Sequence, residues 1–155
     1  MKARTASRSS TAAAPSRGPR YIAIAIAVLS LVGLAETTYL TAAHLAGSHV
    51  TCVTAANCSQ VLGSAYASFR GIPLASIGAL GYFSAFSFAT LAAFGYRRAA
   101  TLLALTVTAM FLTTLWLLYL QAFVLHAFCD YCLFSAALIF LLAGLLIATP
   151  SPRQV

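Results

Sequence analysis

The chain has 155 residues, 61% of them hydrophobic and only 7% charged, with a mean hydropathy of +0.92. A soluble domain carries about 25% charged residues, so these figures exclude a water-soluble globular protein and place the chain in a membrane. The net charge of +7 does not point to nucleic acid: the basic residues are not interleaved with aromatics that could stack on bases, and most precede the first apolar run, where they read as a topology signal.

Residues 1–20 are rich in Ser, Ala, Thr, Pro and Arg, show no apolar periodicity, and read as a disordered cytoplasmic tail. The segment Gly33-Leu34-Ala35 offers a small-residue cleavage site. The apolar run nevertheless continues from residue 21 to 43, interrupted only by Glu36. That is the length a spanning helix needs, about 20 residues, so a retained anchor is preferred over a signal peptide. A polar stretch follows over residues 44–71, with Cys52, Asn57, Cys58, Ser59 and Arg70. It reads as a structured loop, with a short helix expected over residues 59–68. The second span starts at Ile72-Pro73, since proline suits the first turn of a helix, and runs to Phe94. Arg97 and Arg98 then punctuate the chain.

Residues 99–149 hold a single charge, Asp130. At about 1.5 Å rise per residue this stretch is too long for one crossing of a hydrocarbon core about 30 Å thick. It must contain two spans and a tight turn. No glycine or proline marks the turn; residues 123–128 are the best place for it, because they leave 129–148 as a helix of spanning length. The expected fold is an all-α membrane protein, a four-transmembrane-helix bundle with a cysteine loop between helices 1 and 2. Its divisions are a basic tail over 1–20, the bundle over 21–149 and a short tail over 150–155.

Orientation follows from the basic residues. Lys2, Arg4, Arg8, Arg17 and Arg20 precede the first span, Arg97 and Arg98 separate the second and third, and Arg153 follows the fourth. All of these fall on one side, the cytoplasm by the positive-inside rule; Arg70 alone falls on the other. The loop with Cys52 and Cys58 and the hairpin with Cys129 and Cys132 therefore share the extracytoplasmic side of the membrane.

The run Phe128-Cys129-Asp130-Tyr131-Cys132 is the chemical centre of this reading. Cysteines at i and i+3 of a helix share a face, and a helix N-terminus favours the thiolate of the first. Two cysteine pairs at one oxidising membrane face suit a thiol-disulfide relay through mixed disulfides. The alternative is a non-enzymatic membrane protein with two structural disulfides. A metal site ranks third: His44, His49 and His126 are near, but the spacing of paired zinc knuckles is missing. A relay in a membrane needs an electron acceptor. With no Gly-rich dinucleotide motif and no obvious haem ligation, a lipid-soluble quinone entering between helices is the economical choice.

The segment from Phe123 to Cys132, FVLHAFCDYC, resembles the hallmark segment of the vitamin K epoxide reductase family. Cys58-Ser59-Gln60-Val61, shortly after Cys52, is similar to that family's loop motif, and Gly71-Ile72-Pro73 with Gly78 and Tyr82 resembles its second span. The likeness covers residues 22–146, and the order of loop pair first, CxxC last, distinguishes it from DsbB-like proteins. The resemblance implies a four-helix bundle enclosing a quinone, menaquinone or ubiquinone. It also implies oxidation of a thioredoxin-fold (DsbA-like) partner, as in bacterial members. Carried over, Cys132 faces the quinone, Cys129 exchanges with Cys58, and Cys52 meets the partner; Cys52 and Cys58 could swap those last two roles. Because the chain ends at Val155, a separate partner protein is expected. Vertebrate members carry a tyrosine four residues after the second CxxC cysteine, where this chain has Ala136. Their second-span asparagine has no counterpart in Leu74-Ala75-Ser76. Plain quinone reduction is therefore favoured over epoxide reduction.

Intramembrane carboxylates are expensive and commonly functional, which makes Glu36 a candidate quinone-binding residue or an interfacial one. Ser76 joins it as a possible hydrogen-bond donor, with Ser59 and Ser64 as weaker ones. Asp130 suits a helix cap or tunes the cysteines; Tyr131 and Trp116 read as interface anchors or core, and His126 as an interfacial histidine.

Overall fold

The computed structural model describes residues 17–47, 61, 68–69 and 71–148. Four long helices account for most of these. They are α1 (Arg17–Leu45), α2 (Leu74–Ala93), α3 (Arg97–Tyr119), which runs on into a π-helical turn (Leu120–Leu125), and α4 (Asp130–Ala148). All four are long and apolar enough to cross a membrane. The expected spans are thus present. Inside a bilayer a helix satisfies its own backbone groups, and some hydroxyls within these spans turn back on their own helix: Thr37 donates to the Gly33 carbonyl at 2.7 Å and Thr41 to that of Thr37 at 2.7 Å.

One boundary differs from expectation. Helix α1 begins at Arg17, inside the segment assigned to the tail, with Pro19 in its first turn; proline lacks only an N–H that this turn leaves unpaired. Of the short helix expected over residues 59–68, Val61 is helical and Ser68 is in a strand; the rest lies outside the described residues. Strand β1 (Ser68–Phe69) pairs antiparallel with β2 (Ile72–Pro73), in the register Ser68 with Pro73 and Phe69 with Ile72. This small ribbon leads directly into α2.

The helices alternate in direction. Gly33 meets Tyr82 and Thr37 meets Gly78, so α1 and α2 run antiparallel. Tyr39 packs on Tyr131 and Phe111 on Phe140, which sets α4 antiparallel to both α1 and α3. The α2–α3 turn is a Schellman motif: Tyr96 N–H donates to the Leu91 carbonyl at 3.2 Å, and Gly95, at φ 91, donates to that of Ala92 at 2.9 Å.

The core joins Ile26, Tyr82, Ala85, Ala89, Leu103, Val107, Ile139 and Leu142. Small residues bring membrane helices close, and Gly33 shows why: a Cβ there would collide with the Tyr82 ring. Large apolar side chains such as Ile24, Leu80, Phe83, Leu105, Leu112 and Leu141 point outward. Such a surface suits lipid rather than water.

Candidate functional site

The turn between α3 and α4 carries the CxxC. It spans residues 126–129, within the stretch expected for it except for its last residue, and Asp130 opens α4. Cys129 and Cys132 are both free thiols; Cys129 is fully buried, Cys132 partly so. The Cys132 thiol hydrogen-bonds Cys129, and the amides of Cys132 and Tyr131, at the start of α4, also favour its thiolate. Together these outweigh burial and the neighbouring Asp130 charge, lowering the Cys129 thiol to about 7. The amide share of this lowering is the effect a helix N-terminus exerts on a cysteine beside it.

A cavity of about 450 Å³ lies among all four helices. Cys132 lines it and Cys129 does not. Glu36, Tyr82, Gln121 and Ser135 supply polar groups at its wall, and Leu40, Leu117 and Ile139 belong to its apolar lining. Tyr82 is buried to 1% exposure. Its hydroxyl donates to the Ser135 carbonyl at 3.1 Å and pairs with Ser135 Oγ at 2.9 Å. The two carboxylate oxygens of Glu36 are shut off from solvent and have no hydrogen-bond partner. The Ser135 hydroxyl they face is already engaged by Tyr82. A carboxyl group in this state is costly for the fold to keep.

Ser76 lies in the N-terminal turn of α2. Its hydroxyl donates to the Pro73 carbonyl at 2.6 Å, closing the first turn of α2, and the residue is not part of the cavity wall. A serine in that position bonds its own helix because the N-terminal turn leaves backbone geometry open to it. His126 is exposed and adopts φ 48. Trp116 is outward and stacks on Tyr119; Tyr131 lines the cavity beside Tyr39. Cys52, Cys58, Ser59, Ser64 and His49 lie outside the described residues. Among the described residues no three His, Cys, Asp or Glu side chains gather as metal ligands.

Ser135 and Gln121 were not singled out from the sequence. Ser135 is three residues past Cys132, on the same helical face. Gln121 is the amide in the apolar run between Tyr119 and His126, where a polar side chain at membrane depth is itself a signal.

A family model described as the vitamin K epoxide reductase family matches residues 24–147, which takes in the cavity, the CxxC and nearly all of the four helices. This multi-pass membrane oxidoreductase therefore belongs to the vitamin K epoxide reductase family.

Proposed function

We propose that the protein is a quinone-linked thiol-disulfide oxidoreductase. It makes disulfides in exported proteins through a thioredoxin-fold (DsbA-like) partner and works at the extracytoplasmic face of a bacterial cell membrane. The observation that carries this reading is the split placement of one dithiol: Cys132 lines the cavity, and Cys129 lies outside its lining at the start of α4. Val61, three residues after Cys58, packs on Cys129, which supports exchange between the loop pair and the CxxC.

The cavity suits a flat, lipid-soluble ring, with apolar walls and a few polar groups beside Cys132. A quinone bound there supplies a two-electron, two-proton acceptor. The protein's own part begins when a partner dithiol reduces the Cys52–Cys58 disulfide and leaves oxidised. A loop thiolate then attacks Cys129 in the oxidised CxxC, and the Cys132 thiolate departs. Resolution of the mixed disulfide restores the loop disulfide and leaves Cys129 and Cys132 as a dithiol. Reclosing that dithiol releases two electrons and two protons. Glu36, with its unpartnered carboxyl group at the cavity wall, is positioned to hold or pass a proton there.

The test is quinone reduction driven by dithiothreitol, a small reductant that bypasses the partner. Activity survives Cys52→Ala, vanishes in Cys132→Ala, and in the latter variant a Cys58–Cys129 disulfide accumulates. Equal loss in both variants overturns the order of the relay, and two permanently oxidised pairs with no turnover favour structural disulfides. A membrane-impermeant thiol reagent reaches reduced Cys52 in intact cells. Labelling of a cysteine placed near Arg97 instead would invert the topology.

A further inference from the structure

The turn that presents the CxxC breaks a helix without any helix-breaking residue. From Leu120 to Cys132 the sequence contains neither glycine nor proline, and its apolar residues are compatible with one uninterrupted helix. Instead the chain widens into a π-helical turn over Leu120–Leu125 and reverses at His126, whose φ of 48 is the one positive value at a non-glycine position among the described residues. A side chain in the left-handed region is unfavourable, so something must hold the turn in place.

Gln121 does so with both of its oxygens. Its backbone carbonyl accepts from the amides of His126 and Ala127, the latter at 3.2 Å. Its side-chain Oε1 accepts from the amide of Cys129 at 3.3 Å. The residue is buried to 4% exposure, so water cannot readily replace these bonds. Three amides of the four-residue turn 126–129 end on one residue.

We propose that Gln121 is the positioning residue of the CxxC, a latch whose side-chain oxygen fixes the Cys129 backbone so that its sulfur sits at the start of α4. The proposal rests on the redox reading of Cys129, but its test reads the thiol and the turn directly. With the latch in place, the Cys132 thiol and, beside it, the amides of Cys132 and Tyr131 favour the Cys129 thiolate. Without it, the Cys129 amide loses its acceptor and the turn is free to relax away from that geometry.

The test uses full-length reduced protein in the Cys52→Ala, Cys58→Ala background, so that only the CxxC thiols titrate. Thiolate ultraviolet absorbance against pH gives the midpoint, and amide hydrogen exchange of a peptide covering residues 126–132 gives the opening of the turn. Q121M keeps the side-chain volume and removes the oxygen. It should raise the midpoint by about one pH unit, the scale of such helix-terminus effects, and speed exchange in that peptide while the rest of the bundle stays protected. Q121E keeps an acceptor at the same reach and should keep exchange slow. Should Q121M not fold, Q121N, one methylene short of the Cys129 amide, carries the same two readouts. A Q121M or Q121N midpoint equal to that of the parent overturns the latch, as does a Q121E turn that exchanges as fast as that of Q121M. If the parent protein fails to reduce quinone with dithiothreitol before its loop cysteines are removed, the redox reading fails instead, whatever Gln121 does.

Discussion

The two ends of the bundle are built from the same four helices and differ in how they fill the space between them. Where α2 ends and α3 begins, Ala85, Ala89, Ala99, Leu103 and Val107 are buried to 4% exposure or less, with Leu142 of α4 at 0%. Small and branched side chains close that end by contact alone. At the other end the helices part around a cavity walled by Glu36, Tyr82, Gln121, Cys132 and Ser135. Dispersion and shape hold the first end together, whereas hydrogen bonds and a reactive dithiol define the second. The closed end supplies the rigidity that lets the open end keep a buried carboxyl group beside a cavity.

If that division is right, substitutions at the two ends should move different observables. The largest expected effect is at the open end. Glu36→Gln removes the one carboxyl group at the cavity wall and should slow quinone reduction by roughly 100-fold, within the range for loss of a proton-transfer group. Oxidation of the CxxC by an added chemical oxidant should be unchanged. Normal turnover in this variant would reduce Glu36 to an interfacial residue.

At the closed end, Ala85→Leu forces added volume into full contact and should destabilise the bundle by about 1–3 kcal/mol. This should be read as a lower thermal midpoint in detergent, with turnover per folded molecule preserved. A loss of turnover without a loss of stability would erase the distinction between the two ends.

A smaller effect belongs to Tyr82→Phe, which cuts the α2–α4 tie to Ser135. A hydrogen bond between membrane helices contributes about 0.6–2 kcal/mol, so a modest drop in stability is expected along with a few-fold change in quinone KM.

The smallest concerns pH. The Cys129 thiol lies at about 7, below the ordinary thiol value of about 8.5, and only the thiolate attacks disulfides. Exchange of the reduced CxxC with a small disulfide should therefore rise with pH through about 7 and then level off, and be lost as pH falls below it. A profile still climbing at pH about 8.5 would remove the special environment of Cys129.

The membrane character, the four spans and the place of the CxxC were legible because hydropathy, charge and cysteine spacing act locally. Only one charge occurs in residues 99–149, and that alone forced two crossings. The turn between them could be placed only approximately, because its cause is not a turn residue but the bonds that Gln121 makes across the break. The Ser135–Tyr82 pair was hidden for a similar reason: the two residues are 53 positions apart, and only the packing of α2 beside α4, which run in the same direction, brings them together. Ser76 was not decidable from sequence because a serine near a helix start can serve a cavity or its own backbone. Glu36 stood out because a carboxylate in an apolar span has few ordinary explanations.

The π-helical turn before the CxxC has a consequence for how this chain tolerates changes in length. A π turn holds more residues than an α turn, so removing one residue from Leu120–Leu125 would let the segment regularise into an α-helix without leaving the membrane. Each residue of an α-helix advances the chain by about 100° around its axis. The π turn takes up its extra residue without turning the chain further, so losing that residue would leave Cys129 and Cys132 on nearly the same face. The same deletion within Arg97–Tyr119 has no extra residue to give up and would swing everything beyond it by that angle, turning Cys132 away from the cavity. Single-residue deletions scanned along α3 should thus cost turnover in its regular turns and be tolerated best over residues 122–125, within the π-helical segment.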